Sequence, residues 1–190
     1  MRRVRVVVAA APGVATGSLP AIRADQESRL ILEAQALGHL DVELRSVATI
    51  DDLAFSGLRP PDIFHLICQG DRGTLVFVDE CGDPRRFAAI DVAELIGSYG
   101  VHLSGIVLNA CHSEGCAETF APLADTVIAH KGPLDDDCAR LFAGRLYRTL
   151  QDFPDLAHAA RISADHLATG EACRSGIRAG LVVLRNGGGR

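Results

Sequence analysis

Two short polar segments contain the residue types that acyl-transfer chemistry requires. One lies at 68–71 and the other at 109–114, and each follows an apolar run. Cys111 is a candidate nucleophile, because it stands between such a run and a helix predicted to begin near Ser113 or Glu114. A helix N-terminus stabilises a thiolate, and its backbone N–H groups can bind the oxyanion of an acyl-transfer intermediate. The alternative interpretation is a buried thiol that only packs.

The elements that must position these segments alternate between strands and helices. This alternation predicts an α/β fold with a mostly parallel sheet of about six strands and helices on both faces. Sites in such sheets form at the carboxyl ends of the strands, so we expect both segments at one edge. Strands are predicted over 4–10, 41–48 (an edge strand), 63–68, 105–110, 126–129 and 177–184, a hairpin over 74–78 and 86–90, and helices over 25–37, 51–59, 91–99, 114–123, 134–150 and 154–169.

Length and charge limit the classes of function. The 190 residues predict a single domain over 1–186, followed by a flexible glycine-rich tail at 187–190. The chain has 24 acidic and 19 basic residues, a net charge of −5, which argues against nucleic acid as a partner. No apolar run approaches the ~20 residues that span a bilayer, so no membrane partner is expected. The basic and apolar start is interpreted as a buried strand rather than a signal peptide, which predicts a cytoplasmic location.

The six cysteines do not form a recognisable metal or disulfide pattern. No pair has the CxxC spacing of a zinc site, so neither a metal nor another cofactor is predicted. In a reducing cytoplasm we expect free thiols that are mostly buried. Cys68 precedes Gln69 and so comes near Cys111 in the predicted fold, but a packed thiol is expected there rather than a disulfide.

Two active-site segments carry a family resemblance. The stretches FHLICQG (64–70) and VLNACHSE (107–114) resemble those of the CHAT family, bacterial caspase-like cysteine peptidases related to caspases, separases and gingipains. The stretch IAHKGPLDDDCARLFA (128–143) resembles the family's following strand, acidic turn and long helix. The resemblance covers most of the chain. It implies a caspase-like three-layer sandwich and a cysteine endopeptidase of a bacterial conflict or signalling system.

The resemblance assigns roles to individual residues and reveals one departure from the family's pattern. Cys111 matches the nucleophile, and the position of the general-base histidine is occupied by Gln69. An amide cannot take up a proton at neutral pH, so catalysis is expected to be impaired. Gly70 allows the loop to approach closely, and Gly70 and Asn109 are implied to contact substrate.

Two other histidines lie near enough in sequence to replace the missing base. His65 stands four residues before Gln69 inside a strand, where family members often carry a structural histidine. His112 follows Cys111 directly, and adjacent side chains usually point in different directions. Neither placement favours hydrogen-bond contact with the nucleophile.

The acids at 135–137 have two interpretations. As N-cap and first-turn residues they stabilise the long helix. By resemblance, Asp136 matches an acid that binds a basic P1 residue, the substrate residue before the scissile bond. The expected partner is a peptide or protein, and the oligomeric state is left open.

Three functions therefore remain. The first is a caspase-like endopeptidase with impaired catalysis, and the second is an inactive pseudo-peptidase that binds a peptide or protein. Gln69 favours the second. The third is an unrelated doubly wound binding domain, but the glycine-rich GxGxxG loop typical of such domains is absent.

Overall fold

Continuous apolar runs form the central strands of a six-stranded sheet with the order β2-β1-β3-β7-β8-β9. The computed structural model describes residues 2–11, 22–46, 49–54, 60–71, 73–170, 173 and 176–186. Five of the strands are parallel, and β9 runs antiparallel to β8 at one edge. The strands are β1 (Val4–Ala10), β2 (Leu40–Ser46), β3 (Ile63–Ile67), β4 (Gln69–Asp71), β5 (Thr74–Val78), β6 (Pro84–Ala88), β7 (Gly105–Asn109), β8 (Thr126–His130) and β9 (Leu181–Arg185).

Helices cover both faces of the sheet, which gives three layers. Because side chains alternate along a strand, Val7 of β1 joins the core on one face and Val6 joins the core on the other. The first core contains residues of α2 and α3, and the second contains residues of α1, α4 and α5. The helices are α1 (Ala24–Gln35), α2 (Ala89–Ser98), α3 (Glu114–Phe120), α4 (Asp136–Asp152), α5 (Leu156–Ala168) and α6 (Ile177–Gly180). The predicted mostly parallel α/β sandwich is confirmed.

Several predicted boundaries are wrong. The loop expected after β3 is itself a strand, β4, which pairs antiparallel with β5 beside the main sheet. The second hairpin strand, β6, both starts and ends two residues earlier than expected. It ends at Ala88 because α2 already begins at Ala89. The strand expected over 177–184 begins as the helical turn α6 and continues as β9. The difference at 177–184 arises because a short apolar segment can form either a strand or a helix until tertiary contacts decide. The polar residues 69–71 form a strand because β5 provides an antiparallel partner.

Other predictions fall partly outside the described residues. Of the helix expected over 51–59, the structure describes a 3-10 turn at Asp51–Leu53 and the extended residue Ala54, and 55–59 lie outside the described part. The tail at 187–190 also lies outside it. A single domain over 1–186 stays a prediction.

The expectation of free thiols is wrong for two cysteines. Cys138 in the first turn of α4 and Cys173 form a disulfide with their Cα atoms 5.6 Å apart. The other four are free: Cys68 and Cys116 are buried, Cys81 is exposed and Cys111 is partly exposed. The paired cysteines lie 35 residues apart in sequence. Only the tertiary fold brings them together, so their spacing carries no signal.

Candidate active site

A cleft opens at the carboxyl ends of β3 and β7, the two central neighbours of the sheet. The parallel register pairs Ile67 with Asn109, so the segments that follow these residues leave the sheet side by side. The cleft has a volume of about 260 Å³. It is lined by Ile22, Glu27, Ile67, Cys68, Gln69, Gly70, Asn109, Ala110, Cys111, Leu134, Asp135, Asp136 and Ala139. Besides Cys111, four of the residues to which the resemblance gives a role therefore line this cleft: Gln69, Gly70, Asn109 and Asp136.

The backbone at Gly70 lies directly against the nucleophile segment. A β-carbon built there would stand 2.5 Å from the carbonyl oxygen of Cys111 and 3.1 Å from the β-carbon of Ala110. Atoms do not approach so closely, so a residue with a side chain would displace one of the two loops. Glycine at this position is what lets the segment after β3 reach Cys111.

The Cys111 sulfur faces the turn that precedes α4. The backbone N–H of Leu134 donates to Sγ at 3.3 Å, and Sγ lies 3.5 Å from the carbonyl oxygen of the same residue. Cys111 lies in a turn three residues before the start of α3, which begins at Glu114 as expected. These contacts hold the thiol at the wall of the cleft while it stays partly exposed.

No imidazole lines the cleft within the described part of the chain. Gln69, at the general-base position, is buried with 7% of its surface exposed and contributes an amide to the wall. His112 adopts a left-handed backbone conformation with φ of 51°, and its backbone N–H donates to the carbonyl oxygen of Gly132 at 2.8 Å. His112 is not among the lining residues. No described histidine is therefore positioned as a base at the cleft.

His65 belongs to a buried polar network behind the cleft. Its Nδ1 lies 2.9 Å from the hydroxyl of Tyr147, and its Nε2 lies 2.9 Å from Oε1 of Glu27. Asn109 Nδ2 donates to the same Glu27 oxygen at 2.6 Å and to the carbonyl oxygen of Ala139 at 3.2 Å. His65 has no exposed surface and both its ring nitrogens have partners. His65 is therefore a structural residue of this network and does not replace the missing general base.

Tyr147 completes the network from α4. Its burial raises the pKa of its hydroxyl well above the ordinary value, and the nearby charge of Glu27 raises it further. The hydroxyl therefore remains protonated and shares a hydrogen bond with Nδ1 of His65, while Nε2 of the same ring lies against the Glu27 carboxylate.

Glu27 is the site residue that sequence reasoning missed. Its side chain is buried although it is acidic, and it lines the cleft. A signal was present in the sequence, because Glu27 shares a helical stripe with the buried residues Ile31 and Ala34 of α1. An acid within the apolar stripe of a helix marks a buried carboxylate that needs partners.

The three acids before and within the first turn of α4 have different partners. Asp135 is the N-cap, and its carboxylate accepts from the N–H of Cys138 at 3.1 Å. Asp136 accepts from the backbone N–H of Arg23 at 3.0 Å and from its Nε at 2.9 Å. Hydrogen bonding to Arg140 and the charge of Arg23 lower the pKa of Asp137. The capping interpretation is confirmed for Asp135, and Asp136 lies at the cleft with Arg23 already bound.

The described residues contain no cluster of three or more histidine, cysteine or acidic residues that could hold a metal ion. Within the same residues, no helix is both long and apolar enough to cross a membrane.

The three-layer architecture, with a cysteine at the carboxyl edge of its central strands, is the fold of caspase-like cysteine peptidases. Comparison with solved structures agrees. A secreted C11 cysteine protease from Bacteroides thetaiotaomicron, in complex with an irreversible peptide inhibitor, superposes with a TM-score of 0.66 at 15% identity. The match covers 96% of this chain and 66% of the other.

Sequence comparison points in the same direction. A Roc-COR-CHAT protease of an unknown prokaryotic organism is 28% identical over 108 residues, which cover 53% of this chain. The match spans only 10% of the length of that protease. No family model matches the chain.

Proposed function

We propose that this chain is a caspase-like cysteine peptidase domain that binds a peptide or protein in the cleft and uses Cys111 as its nucleophile with impaired turnover. The observation that carries this proposal is the position of the partly exposed Cys111 thiol in a cleft with Gln69 and Gly70. Fold similarity to a protease that accepts a peptide inhibitor supports a peptide as the occupant.

The impairment follows from the chemistry of acyl transfer. The thiolate sulfur attacks the scissile carbonyl carbon, and a general acid must then protonate the leaving amine. The Gln69 amide can donate or accept hydrogen bonds but cannot carry the proton between these steps. Loss of a positioned acid–base group reduces the rate by about 10²–10⁴-fold. We therefore expect slow acylation of Cys111 and little or no sustained turnover.

A second candidate is an inactive pseudo-peptidase that binds a peptide or partner protein without cutting it. The observation that favours it is that, among the described residues, no histidine lines the cleft around Cys111. Under this alternative Gln69 contributes a hydrogen bond to the bound chain, and Cys111 serves as a small packing residue.

The two candidates differ in the reactivity of Cys111 toward a bound peptide. Wild type and Cys111→Ala are incubated with fluorogenic peptides carrying Arg, Lys or Asp at P1, and separately with peptidyl acyloxymethyl ketones of the same sequences. The leading proposal expects covalent labelling of wild type at Cys111, confirmed by peptide mapping, with weak cleavage that Cys111→Ala abolishes. Peptide binding without labelling or cleavage supports the pseudo-peptidase. Absence of both binding and labelling contradicts both candidates.

The biological setting belongs to the same proposal. Resemblance to CHAT domains, together with similarity to the Roc-COR-CHAT protease, supports a role in a bacterial conflict or signalling system. The cytoplasmic location stays a prediction. The state of Cys138 and Cys173 in protein isolated under thiol-trapping conditions tests it, because a reducing cytoplasm keeps most thiols reduced.

A further inference from the structure

One oxygen of a buried carboxylate at the cleft has no partner in the part of the chain that the structure describes. Only 4% of Glu27 is exposed, and its hydrogen bonds to His65 and Asn109 both end on Oε1. No hydrogen bond within the described part ends on Oε2, and Glu27 is a lining residue of the cleft. The second oxygen therefore remains available to a ligand.

No arginine or lysine forms an ion pair with this carboxylate within the described residues. Its one ion-pair contact is with Nε2 of His65, which lies against Oε1, and Asn109 carries no charge. Neither neighbour provides a partner for Oε2. Buried charges in proteins are normally paired, because removal of an ion from water costs several kcal/mol. A cationic ligand group would supply the missing partner.

The other acids at the cleft differ from Glu27. Asp135 caps α4 through Oδ1 and is exposed to solvent, and both oxygens of Asp136 accept hydrogen bonds from Arg23. A ligand that used Asp136 would first have to displace Arg23. Within the described residues, no arginine or lysine has to be displaced from Glu27.

The shape of the cleft suits a long side chain with a cationic end. Its volume of about 260 Å³ lies just below the ~300–1,000 Å³ typical of small-molecule sites, which favours a single side chain. Ile22, Ile67 and Leu134 contribute aliphatic surface to its walls. Such walls cover the methylene stem of arginine or lysine while the charged end reaches a carboxylate.

We propose that Glu27, rather than Asp136, is the acid that selects a basic side chain of the bound peptide. This inference deepens the proposed function, on which it rests for the presence of a peptide in the cleft. The guanidinium or ammonium group donates to Oε2 of Glu27, and the stem lies along the aliphatic walls. Asn109 and His65 act as positioning residues that hold the carboxylate through Oε1.

Binding of matched peptides tests the assignment without requiring turnover. Blocked tripeptides that differ only in a central arginine or its neutral isostere citrulline are titrated by calorimetry into wild type, Glu27→Gln and Asp136→Asn. We expect wild type to favour arginine by about tenfold or more, as a charge-assisted hydrogen bond provides. Glu27→Gln should bind the arginine and citrulline peptides equally well, whereas Asp136→Asn should keep the preference for arginine.

Each contrary outcome has a distinct meaning. Loss of the preference in Asp136→Asn overturns the inference, even if Glu27→Gln does not fold, because the selecting acid is then Asp136. No arginine preference in wild type also overturns it, while peptide-ketone labelling of Cys111 separately decides whether the proposed function stands. Glutamine keeps Oε1 as the acceptor for His65 and Asn109, so an unchanged melting temperature shows that any lost preference comes from the lost charge.

Discussion

Gly70 and Cys111 are in such close contact that no side chain fits between them. The carbonyl oxygen of Cys111 lies 2.5 Å from the position that a β-carbon on Gly70 would occupy. The contact joins the loop after β3 to the loop after β7. It places Gln69, the residue in the general-base position, in the same cleft as the candidate nucleophile.

Gly70→Ala is expected to destabilise the fold and displace the loop at Cys111. The added methyl group must push backbone atoms apart, and overpacking of this kind costs about 1–3 kcal/mol. Urea denaturation measures the loss. Gly176→Ala is the matched control, because its β-carbon would meet no heavy atom within 4 Å and its φ is −109°. Equal stability changes in the two variants would contradict the close contact.

Gln69→His is expected to create or increase peptidase activity. An imidazole has a pKa near neutrality and can both accept the thiol proton and protonate the leaving amine. A gain near ~10² is reasonable for an imperfectly placed base, at the low end of general-base effects. Initial rates on peptides with arginine at P1 measure the gain.

The double variant Gln69→His with Cys111→Ala is the control, because it keeps the new base and removes the nucleophile. Activity that survives in the double variant would show that Cys111 does not carry the reaction. Efficient cleavage by wild type, with no gain from histidine, would identify a different base. A folded but inert Gln69→His variant would favour the pseudo-peptidase.

Alkylation should separate the six cysteines into three groups. Cys81 and Cys111 should react, because the first is exposed and the second partly exposed. Burial raises the pKa of Cys68 and of Cys116, so these thiols should be protected until the protein unfolds. Cys138 and Cys173 should resist alkylation until a reductant is added.

Peptide mapping after limited iodoacetamide treatment measures the pattern. The variant Cys81→Ser removes the exposed competitor and leaves Cys111 as the main expected site. Faster labelling of Cys116 than of Cys111 would contradict the assigned environments. Labelling of Cys138 without reductant would contradict the disulfide.

The stability of the fold should decrease as the pH falls below neutrality because of His130. Burial lowers the pKa of this histidine, and Nδ1 has no hydrogen-bond partner among the described residues. The contact of Nε2 with the carbonyl oxygen of Gly176 at 3.4 Å, the nearby backbone of Gly132 and the charge of Glu114 oppose the burial effect on the pKa, whereas His112 adds to it.

The sign follows from proton binding. In the unfolded chain the imidazole takes up its proton near pH 6.5, whereas in the folded protein it does so at a lower pH. The free energy of unfolding should therefore fall between these two values as the solution is acidified. Urea denaturation from pH 8 to pH 5 measures this slope, and His130→Gln should flatten it. An identical slope in the variant would assign the effect to other groups.

The residues that the sequence alone identified lie in local patterns. The apolar runs that became β1, β3, β7 and β8 are readable because a strand buried on both faces needs nearly every residue apolar. The segments after β3 and β7 were likewise predicted to meet, since parallel neighbours end at the same edge of a sheet. These patterns singled out the two segments and Cys111, and the family resemblance assigned the roles of Gln69, Gly70 and Asn109.

Tertiary structure decided the features that join distant residues. Glu27 and Asn109 are 82 positions apart, as are His65 and Tyr147, and Cys138 lies 35 positions from its disulfide partner. Whether an acid is buried, and whether an imidazole accepts or donates, depends on the neighbours that folding supplies. For this reason the helical pattern of α1 marks Glu27 as buried but does not place it at the cleft. Periodicity reports which face of α1 is buried, but only the packed structure determines that Glu27 on that face lines the cleft beside Cys111.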